Sequence, residues 1–418
     1  MPATRVAFLA PPFAGHLNPL LVLAEAARGA GYAVEVVTGA GKRTAVEGRG
    51  LVCRVLPGLD DGVMECIANT DRPVGGNPLR LLEQLRASLA VVARGRRELL
   101  PLWRTQPPDI VVADSIAVIG GLVAEELGLP WITTVATPFA MECRRGVPSY
   151  LGGWSEMPGP VGRLRDAVGW GVVRTVKRGC AFMVREQLRE LGARLYREDG
   201  SEFCYSPRAI LGFGMMELEF PRDWPASFRM IGPVFANPEP TPSVVLPAHR
   251  PRVLVSLGTH LLWAKARLAG DLAWLASRRP GVMFIGSHGE SQRMGEPPEI
   301  LAPNARLYPF IPYTDHMGGF DAVIHHGGAG VTYAAIHAGV PAVVVPHDYD
   351  QFDFAARVAA RGAGLRVRRL AGAATLRALD RVLTPGAFPA LAELQAASRR
   401  YDPAGSFLAL LSEIVPGA

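Results

Sequence analysis

One short run constrains this chain more than any other, His325-His326-Gly327-Gly328-Ala329-Gly330-Val331-Thr332. An apolar strand pattern at 321–324 precedes it, and a helix-like stretch at 333–338 follows it. A strand that turns through glycines into a helix N-terminus places unpaired backbone N–H groups and the positive end of the helix dipole beside a ligand. With two histidine donors added, the run predicts a site for the diphosphate of a nucleotide-activated compound.

The length and composition predict a two-domain globular protein. A chain of 418 residues is too long for one ordinary core, and 49% hydrophobic with 20% charged residues argues against disorder. No apolar run reaches the roughly 18 residues that a membrane span needs. Residues 1–10 lack the long apolar region of a signal peptide and run into a strand pattern. We therefore expect a cytoplasmic protein.

Cysteine and charge usage narrow the function classes. The five cysteines are scattered and show no CxxC spacing, which favours buried or incidental thiols over disulfides or a zinc site. The net charge is +6, and residues 144–185 carry eight basic against two acidic residues. This excess is interpreted as a solvated helix face, with an anionic-ligand or membrane-surface patch as the alternative. No recognition helix, zinc finger or RNP pattern indicates nucleic-acid binding.

Short apolar runs alternate with helical patterns along the whole chain, which predicts parallel, doubly wound α/β sheets. At residues 141–165 this alternation is lost and Gly, Pro and Trp are frequent, so the segment is predicted to form a loop or lid. A proline-rich linker at 233–251 separates two domains, at 1–232 and 252–400, which we expect to face each other across a cleft. The predicted strands are 5–10, 33–38, 109–113, 130–135, 252–258, 282–285, 322–324 and 342–345, and the predicted helices are 20–30, 79–102 and 120–127.

Two residues at strand ends in the first domain form a candidate catalytic pair. His16 lies in the loop 11–20 and is suited to general-base catalysis, although a capping or exposed histidine is the alternative. Asp114 follows the strand at 109–113 and can orient an imidazole; its alternative role is to cap the next helix. The two together favour catalysis more than either does alone.

The second domain supplies the candidate ligand contacts. Thr259, beside Gly258, is suited to a phosphate contact, and Asp350 with Gln351 can bind the hydroxyls of a sugar. The spacing Asp348-Tyr349-Asp350 also matches a metal-binding DxD pattern. We do not favour that interpretation, because the helix N-terminus already provides phosphate donors. Neither GxGxxG nor a P-loop pattern occurs.

With these residues in place, the chain resembles the family 1 glycosyltransferases of the GT-B fold, which transfer sugars from nucleotide diphosphates to small molecules. It is most similar to the bacterial members that modify antibiotics and other natural products. The motifs that carry this resemblance are Gly15-His16, 231–234, 256–259, 308–312, the HGG turn at 326–328, Asp350-Gln351 and 362–364.

The resemblance implies an inverting transferase that needs no metal or other cofactor beyond its nucleotide-sugar co-substrate. His16 would deprotonate the acceptor hydroxyl, with Asp114 as its orienting partner. Phe310 would lie near the nucleotide base, whose edge backbone groups of Ile311 could read. A C-terminal helix within 401–418 would pack back on the first domain. The implied donor contacts are Thr259, Phe310, Ile311, His326, Gly328, Ala329, Gly330, Thr332, Asp350 and Gln351, and the expected acceptor contacts are Phe13 and Phe139.

Two departures from the family pattern bear on the donor. Val331 stands where the family usually has Thr, so that Thr332 would take over its phosphate contact, and Phe354 stands where Asn is usual. Fewer polar groups in the pocket favour a thymidine-diphosphate deoxysugar, with a uridine-diphosphate sugar as the alternative. The expected acceptor is small and largely apolar.

Three other functions remain open from the sequence. The first is an inactive nucleotide-binding auxiliary protein, against which the His16 and Asp114 pair argues. The second is a transferase acting on membrane lipids through the basic segment 144–185, which includes Trp154 and Trp170. The third is an enzyme that epimerises its nucleotide sugar. The sequence leaves the oligomeric state open.

Overall fold

The computed structural model describes residues 3–75, 77–236 and 244–415. Its amino-terminal half contains a seven-stranded, all-parallel sheet in the order β3-β2-β1-β4-β5-β6-β7. The strands are β1 (Arg5–Leu9), β2 (Ala33–Thr38), β3 (Val52–Val55), β4 (Ile110–Asp114), β5 (Trp131–Val135), β6 (Ile210–Gly212) and β7 (Phe228–Met230).

A second seven-stranded sheet occupies the carboxy-terminal half, in the order β10-β11-β9-β8-β12-β13-β14. It is parallel except for the edge strand β10, which runs antiparallel to β11. Two Rossmann-like parallel sheets confirm the predicted α/β fold class. The strands are β8 (Arg252–Ser256), β9 (Met283–Ser287), β10 (Glu299–Ala302), β11 (Ala305–Tyr308), β12 (Ala322–His325), β13 (Ala342–Val344) and β14 (Gly364–Arg366).

Helices cover both faces of each sheet. In the first half they are α1 (Ala14–Gly29), α2 (Arg43–Glu47), α3 (Asp61–Ala68), α4 (Pro78–Thr105), α5 (Val118–Leu127), α6 (Gly159–Met183) and α7 (Arg185–Glu190). In the second half they are α8 (Leu262–Lys265), α9 (Leu268–Arg278), α10 (Tyr313–His316), α11 (Ala329–Ala338), α12 (Gln351–Ala360), α13 (Ala373–Val382), α14 (Ala390–Ser398) and α15 (Pro403–Ile414).

Three predicted boundaries were wrong. Helix α1 begins at Ala14 rather than near residue 20, and it contains Pro19 in its second turn, where the missing N–H removes one intrahelical hydrogen bond. Helix α11 begins at Ala329 rather than 333, directly after the glycine turn. The predicted loop at 141–165 ends where α6 begins at Gly159. Part of the predicted linker, at 237–243, lies outside the described residues.

The last helix lies against the first half of the chain. Phe407, Leu410 and Leu411 of α15 are buried in the core beneath β1 and α1, and the ring of Phe407 packs 5.8 Å from that of Phe8. Segment 401–414 therefore joins the far end of the chain to the amino-terminal core.

The order of the strands in each sheet predicts where a ligand binds. In the first sheet the order reverses between β1 and β4, and in the second it reverses between β8 and β12. Ligands of open α/β sheets bind outside the carboxyl ends of the strands at such a reversal. His16, Asp114, Thr259 and His326 all lie just at or beyond the ends of these four strands.

Candidate active site

His16 and Asp114 form a contact between the first turn of α1 and the end of β4. The imidazole Nδ1 lies 3.0 Å from the Asp114 carboxylate. The Asp114 side chain is fully buried, and it also accepts a hydrogen bond of 2.8 Å from the Ile116 backbone N–H. The carboxylate therefore holds the Nδ1–H tautomer of His16 and leaves Nε2 free to accept a proton. The two side chains predicted to form a pair do so, although their catalytic roles stay a proposal.

The surroundings of His16 favour its protonated form. Burial lowers the pKa of the imidazole, but the charge and hydrogen bond of Asp114, with a contribution from Asp350, outweigh it and raise the pKa above 6.5. The side chain is still 27% exposed. A partly exposed imidazole of raised pKa is suited to taking a proton from a ligand hydroxyl.

Asp350, from the second half of the chain, faces the first half. Thr137, which follows β5, donates a hydrogen bond from Oγ1 to Asp350 Oδ2 at 2.7 Å. Burial raises the pKa of Asp350, and the Thr137 bond and His16 counter that effect. The predicted base and the predicted sugar-binding carboxylate therefore lie on opposite sides of one cleft. Sequence reasoning missed Thr137, since no local pattern distinguishes it.

The ring of His326 lies against Gly258 and Gly328, where a residue with a side chain would not fit. A Cβ on Gly258 would lie 2.6 Å from the His326 ring, and one on Gly328 would lie 2.4 Å from its Nε2. Burial, with positive charge nearby, lowers the pKa of His326 to about 3, so the ring is neutral at pH 7. Its buried Nδ1 has no protein partner among the described residues. The predicted phosphate histidine thus sits in the glycine turn, with one buried ring nitrogen that no described protein atom binds.

His325 has a different role from its neighbour. It is fully buried, and its Nδ1 accepts a hydrogen bond of 3.0 Å from the Gly327 N–H. Gly327 itself has a φ of +97°, a conformation that side chains other than glycine rarely adopt. His325 therefore shapes the turn from inside.

The first turn of α11 contains the predicted donor contacts Gly328, Ala329 and Gly330, which are partly or fully exposed. The early N–H groups of a helix have no intrahelical acceptor, so they are available to an anion. Thr332 corrects the prediction. It is 1% exposed, and its hydroxyl donates to Gly328 O at 2.8 Å, so we drop it from the donor contacts.

A buried lysine supports the same loop, and sequence reasoning missed it. Lys265 Nζ donates to the carbonyls of His288, Thr259 and Gly258 at 2.8, 3.3 and 3.4 Å. It therefore joins the loop after β8, which contains the predicted phosphate residue Thr259, to the loop after β9. Burial lowers its pKa, and the charge of Glu290 opposes that shift. A lysine at the end of the four-residue helix α8 carries no motif that would have revealed this.

The loop after β13 joins the two halves. Asp348 accepts hydrogen bonds from the backbone N–H groups of Val74 and Gly75 at 2.6 and 3.0 Å. Both of its oxygens are used in this way, so it contacts the opposite half of the chain. The side-chain oxygen of Gln351 accepts from the N–H groups of His347 and Asp348, which leaves only its NH₂ group for the predicted sugar contact.

The predicted base-binding segment follows β11. Phe310 is half-buried at the end of this strand. The N–H of Ile311 donates to Ser287 Oγ at 3.2 Å, so only its carbonyl remains to read a base edge. The prediction that the backbone groups of Ile311 read the base is corrected for its N–H, because this group is already bonded to Ser287 at the end of β9.

Of the two predicted acceptor contacts, the structure places one in the cleft. The Phe13 ring packs edge-on against His260, with ring centroids 5.0 Å apart. Phe139 has no exposed surface; it packs against Phe354 at 4.9 Å and under the Arg357 guanidinium at 3.8 Å. The prediction for Phe139 was wrong, because its apolar ring completes a core. Phe354 is equally buried, so its departure from the family pattern lies in this core.

Four of the eight basic residues at 144–185 form ion pairs within the described part of the chain. Arg174 and Lys177 bind Glu142, Lys177 also binds Glu202, and Arg165 binds Asp166. Trp170 is buried, with its Nε1 donating to Gly146 O at 3.0 Å. Within the described residues, no helix is long and apolar enough to cross a membrane.

Comparisons with known proteins identify the family. The profile of the family described as "Erythromycin biosynthesis protein CIII-like, C-terminal domain" matches residues 291–406. The chain is 30% identical to elloramycin glycosyltransferase ElmGT of Streptomyces olivaceus, over 90% of this chain and 89% of that protein. It is 28% identical to 4'-demethylrebeccamycin synthase of Lentzea aerocolonigenes, over 91% of each.

Among solved structures, the chain is similar to the glycosyltransferase SsfS6 of Streptomyces sp. SF2575 in complex with thymidine diphosphate. The TM-score is 0.66 at 24% identity, and the alignment covers 98% of this chain and 99% of that one. This likeness supports the fold. With the sequence relatives, it shows that the chain belongs to the GT-B glycosyltransferases of antibiotic and other natural-product biosynthesis.

Proposed function

We propose that this protein is an inverting, metal-independent glycosyltransferase. It moves a sugar from a nucleoside diphosphate, with a thymidine-diphosphate deoxysugar favoured and a uridine-diphosphate sugar as the alternative, to a hydroxyl of a small, largely apolar acceptor. The observation that carries the proposal is the contact of His16 with buried Asp114 on one side of a cleft whose other side presents Asp350 and the His326 turn.

The first half of the chain activates the acceptor. An acceptor hydroxyl beside His16 donates its proton to Nε2, while Asp114 stabilises the imidazolium that forms. The hydroxyl oxygen attacks the anomeric carbon from the side opposite the diphosphate. One C–O bond forms as the other breaks, so the configuration at that carbon inverts.

The second half stabilises the leaving group. The diphosphate gains negative charge as its bond to the sugar breaks, and the N–H groups at the start of α11 stabilise that charge without reorganising. The neutral His326 lines the same turn, and the Lys265 ammonium adds a fixed positive charge beside the Thr259 loop. These groups provide positive potential without a bound cation, which is the reason for proposing metal independence.

The preference for thymidine rests on similar proteins. Solved structures that resemble this chain include a glycosyltransferase, VinC, in complex with dTDP and a spinosyn rhamnosyltransferase, SpnG, in complex with thymidine diphosphate. Both are 19% identical to this chain, so they support a nucleotide site in the same fold.

The test is a panel of thymidine- and uridine-diphosphate sugars incubated with the purified protein and followed by mass spectrometry. We expect sugar loss from at least one donor, without added metal and in the presence of a chelator. His16→Ala should abolish turnover and leave the affinity for thymidine diphosphate unchanged. Full turnover by His16→Ala would refute the mechanism, while nucleotide binding without any turnover would favour the auxiliary protein.

A further inference from the structure

Helix α6 turns an apolar stripe to the solvent. Five of its aliphatic side chains, spaced by three or four residues, lie on one face with exposed fractions of 41–72%. Residues at this spacing share one side of a helix. The stripe consists of Val161, Leu164, Val168, Val172 and Val176, and Met157, Phe182 and Met183 extend it at the two ends.

The size of the stripe sets it apart from scattered surface hydrophobics. Its eight side chains together expose on the order of 800 Å², about the area that each partner contributes to a standard interface. Monomeric proteins rarely leave a contiguous apolar patch larger than roughly 300–600 Å². Since the opposite face of α6 is already packed through Gly169 and Trp170, the stripe is surplus to the fold of one chain.

The same face contains gaps as well as projections. A Cβ on Gly171 or Gly179 would meet no atom within 4 Å, so open space lies beside the aliphatic side chains. Glycine within a helix weakens it relative to alanine, and it allows another backbone to approach closely. The surface of α6 thus carries both the projections and the gaps that a tightly packed helix pair needs.

The charges around the stripe favour a protein partner over an anionic membrane. Three of the five basic residues of α6, namely Arg165, Arg174 and Lys177, are bound to carboxylates of the same chain, and the guanidinium of Arg178 lies over the ring of Tyr196. Trp154 packs inward against Val147, Phe220 and Ala356. An interfacial membrane helix would instead need free basic residues along its polar face.

We propose that α6 is the contact surface of a homodimer, in which two copies pack their stripes antiparallel about a two-fold axis near Val172. In such an isologous interface each surface is its own partner, so projections and gaps must lie on the same helix. Val172 is the midpoint of the stripe from Val161 to Met183. The donor and acceptor cleft lies on other elements, so the dimer does not depend on the proposed reaction.

The first experiment measures the mass of the full chain by light scattering after gel filtration. We expect twice the chain mass of 44.8 kDa for the wild type, and the single-chain mass for Val172→Asp. The control is Ile300→Asp, at a more exposed aliphatic residue on β10 in the other half; it should remain dimeric. A monomeric wild type, or a dimeric Val172→Asp, would overturn the proposal. Wild-type monomer that sediments with vesicles of anionic lipid would overturn it in favour of a membrane surface.

A second measurement does not require an aspartate on the helix. Val172→Cys should form a disulfide-linked dimer under mild oxidation, beyond any background of the parent protein. Val161→Cys should not, because in the antiparallel pair it lies roughly 16 Å along the helix from the axis. Equal cross-linking of both variants, or of neither, would contradict the two-fold arrangement.

Discussion

Thr137 donates its hydroxyl hydrogen to Asp350 at 2.7 Å, across the cleft that separates the two halves of the chain. The carboxylate proposed to bind the donor sugar is therefore oriented by a residue of the acceptor side. This bond makes the donor-sugar site dependent on both halves.

Thr137→Val should weaken the donor sugar contact. Without the hydroxyl, Asp350 loses its orienting bond, so we expect the KM for the nucleotide sugar to rise several-fold while the Kd for the nucleoside diphosphate alone stays the same. Steady-state kinetics gives the KM for the nucleotide sugar, and calorimetry gives the Kd for the nucleoside diphosphate. Thr384→Val, which removes a hydroxyl bonded to Asp380 O far from the cleft, is the control. An equal loss for both ligands would show that the hydroxyl supports the loop rather than the sugar.

Asp114→Asn should shift the pH dependence. Asp114 raises the pKa of His16, and the neutral base is the active form, so activity of the wild type rises with pH through that raised value. An amide removes the charge while burial continues to lower the pKa, so the acid limb of kcat/KM moves to lower pH. We also expect a rate loss within the range of about 10²–10⁴ that general-base catalysis provides. A limb that does not move would exclude His16 as the titrating group.

Lys265→Met should weaken binding in proportion to ligand charge. It removes a buried ammonium and three bonds to carbonyls of the phosphate loops. We expect a larger loss of affinity for thymidine diphosphate than for thymidine monophosphate, and little loss for thymidine. Arg306→Met is the control, because Arg306 also donates to three carbonyls but lies near the amino end of β11. A uniform loss for all three ligands would indicate disordered loops rather than lost charge.

Arg357 and Glu219 form a buried ion pair between the halves, with Nε to Oε2 at 2.9 Å and both side chains no more than 2% exposed. Arg357→Met leaves the carboxylate buried without its partner, so we expect the free energy of unfolding to fall by about 3–5 kcal/mol. The exposed pair Arg229 with Glu413 is the comparison, where Arg229→Met should cost about 1 kcal/mol or less. Urea denaturation measures both, and similar losses would contradict the role of burial.

Acid should destabilise the donor half through its neutral histidines. Burial lowers the pKa of His260 to about 4 and those of His325 and His326 to about 3, against about 6.5 in an unfolded chain. The unfolded state therefore binds more protons between these values, so the free energy of unfolding rises with pH up to about 6.5 and then levels off. Each histidine contributes up to about 1.4 kcal/mol per pH unit. His260→Asn should reduce this slope, and an unchanged slope between pH 4.5 and about 6 would refute its part in it.

Patterns within single segments predicted most of the fold and part of the site. The apolar runs gave the strands at 5–10 and 252–258 to within two residues, because a strand buried on both faces has a strong local signal. The glycine turn and the His16 loop could also be recognised from the sequence, since glycines and histidines together are unusual between a strand and a helix. Phe139 and Thr332 were misplaced because burial is decided by the neighbours a side chain meets in three dimensions. Thr137 and Lys265 were missed for the same reason.

The packing of α15 against the amino-terminal core bears on engineering. Phe407 fills a space beneath β1, so residues 403–414 belong with the acceptor half although they follow the donor half in the chain. A chimera that exchanges donor halves between relatives at the proline-rich linker alone would join a foreign terminal helix to this core. We expect soluble, active hybrids when the crossover has two points, so that 252–400 is replaced and the terminal helix stays with its native partner.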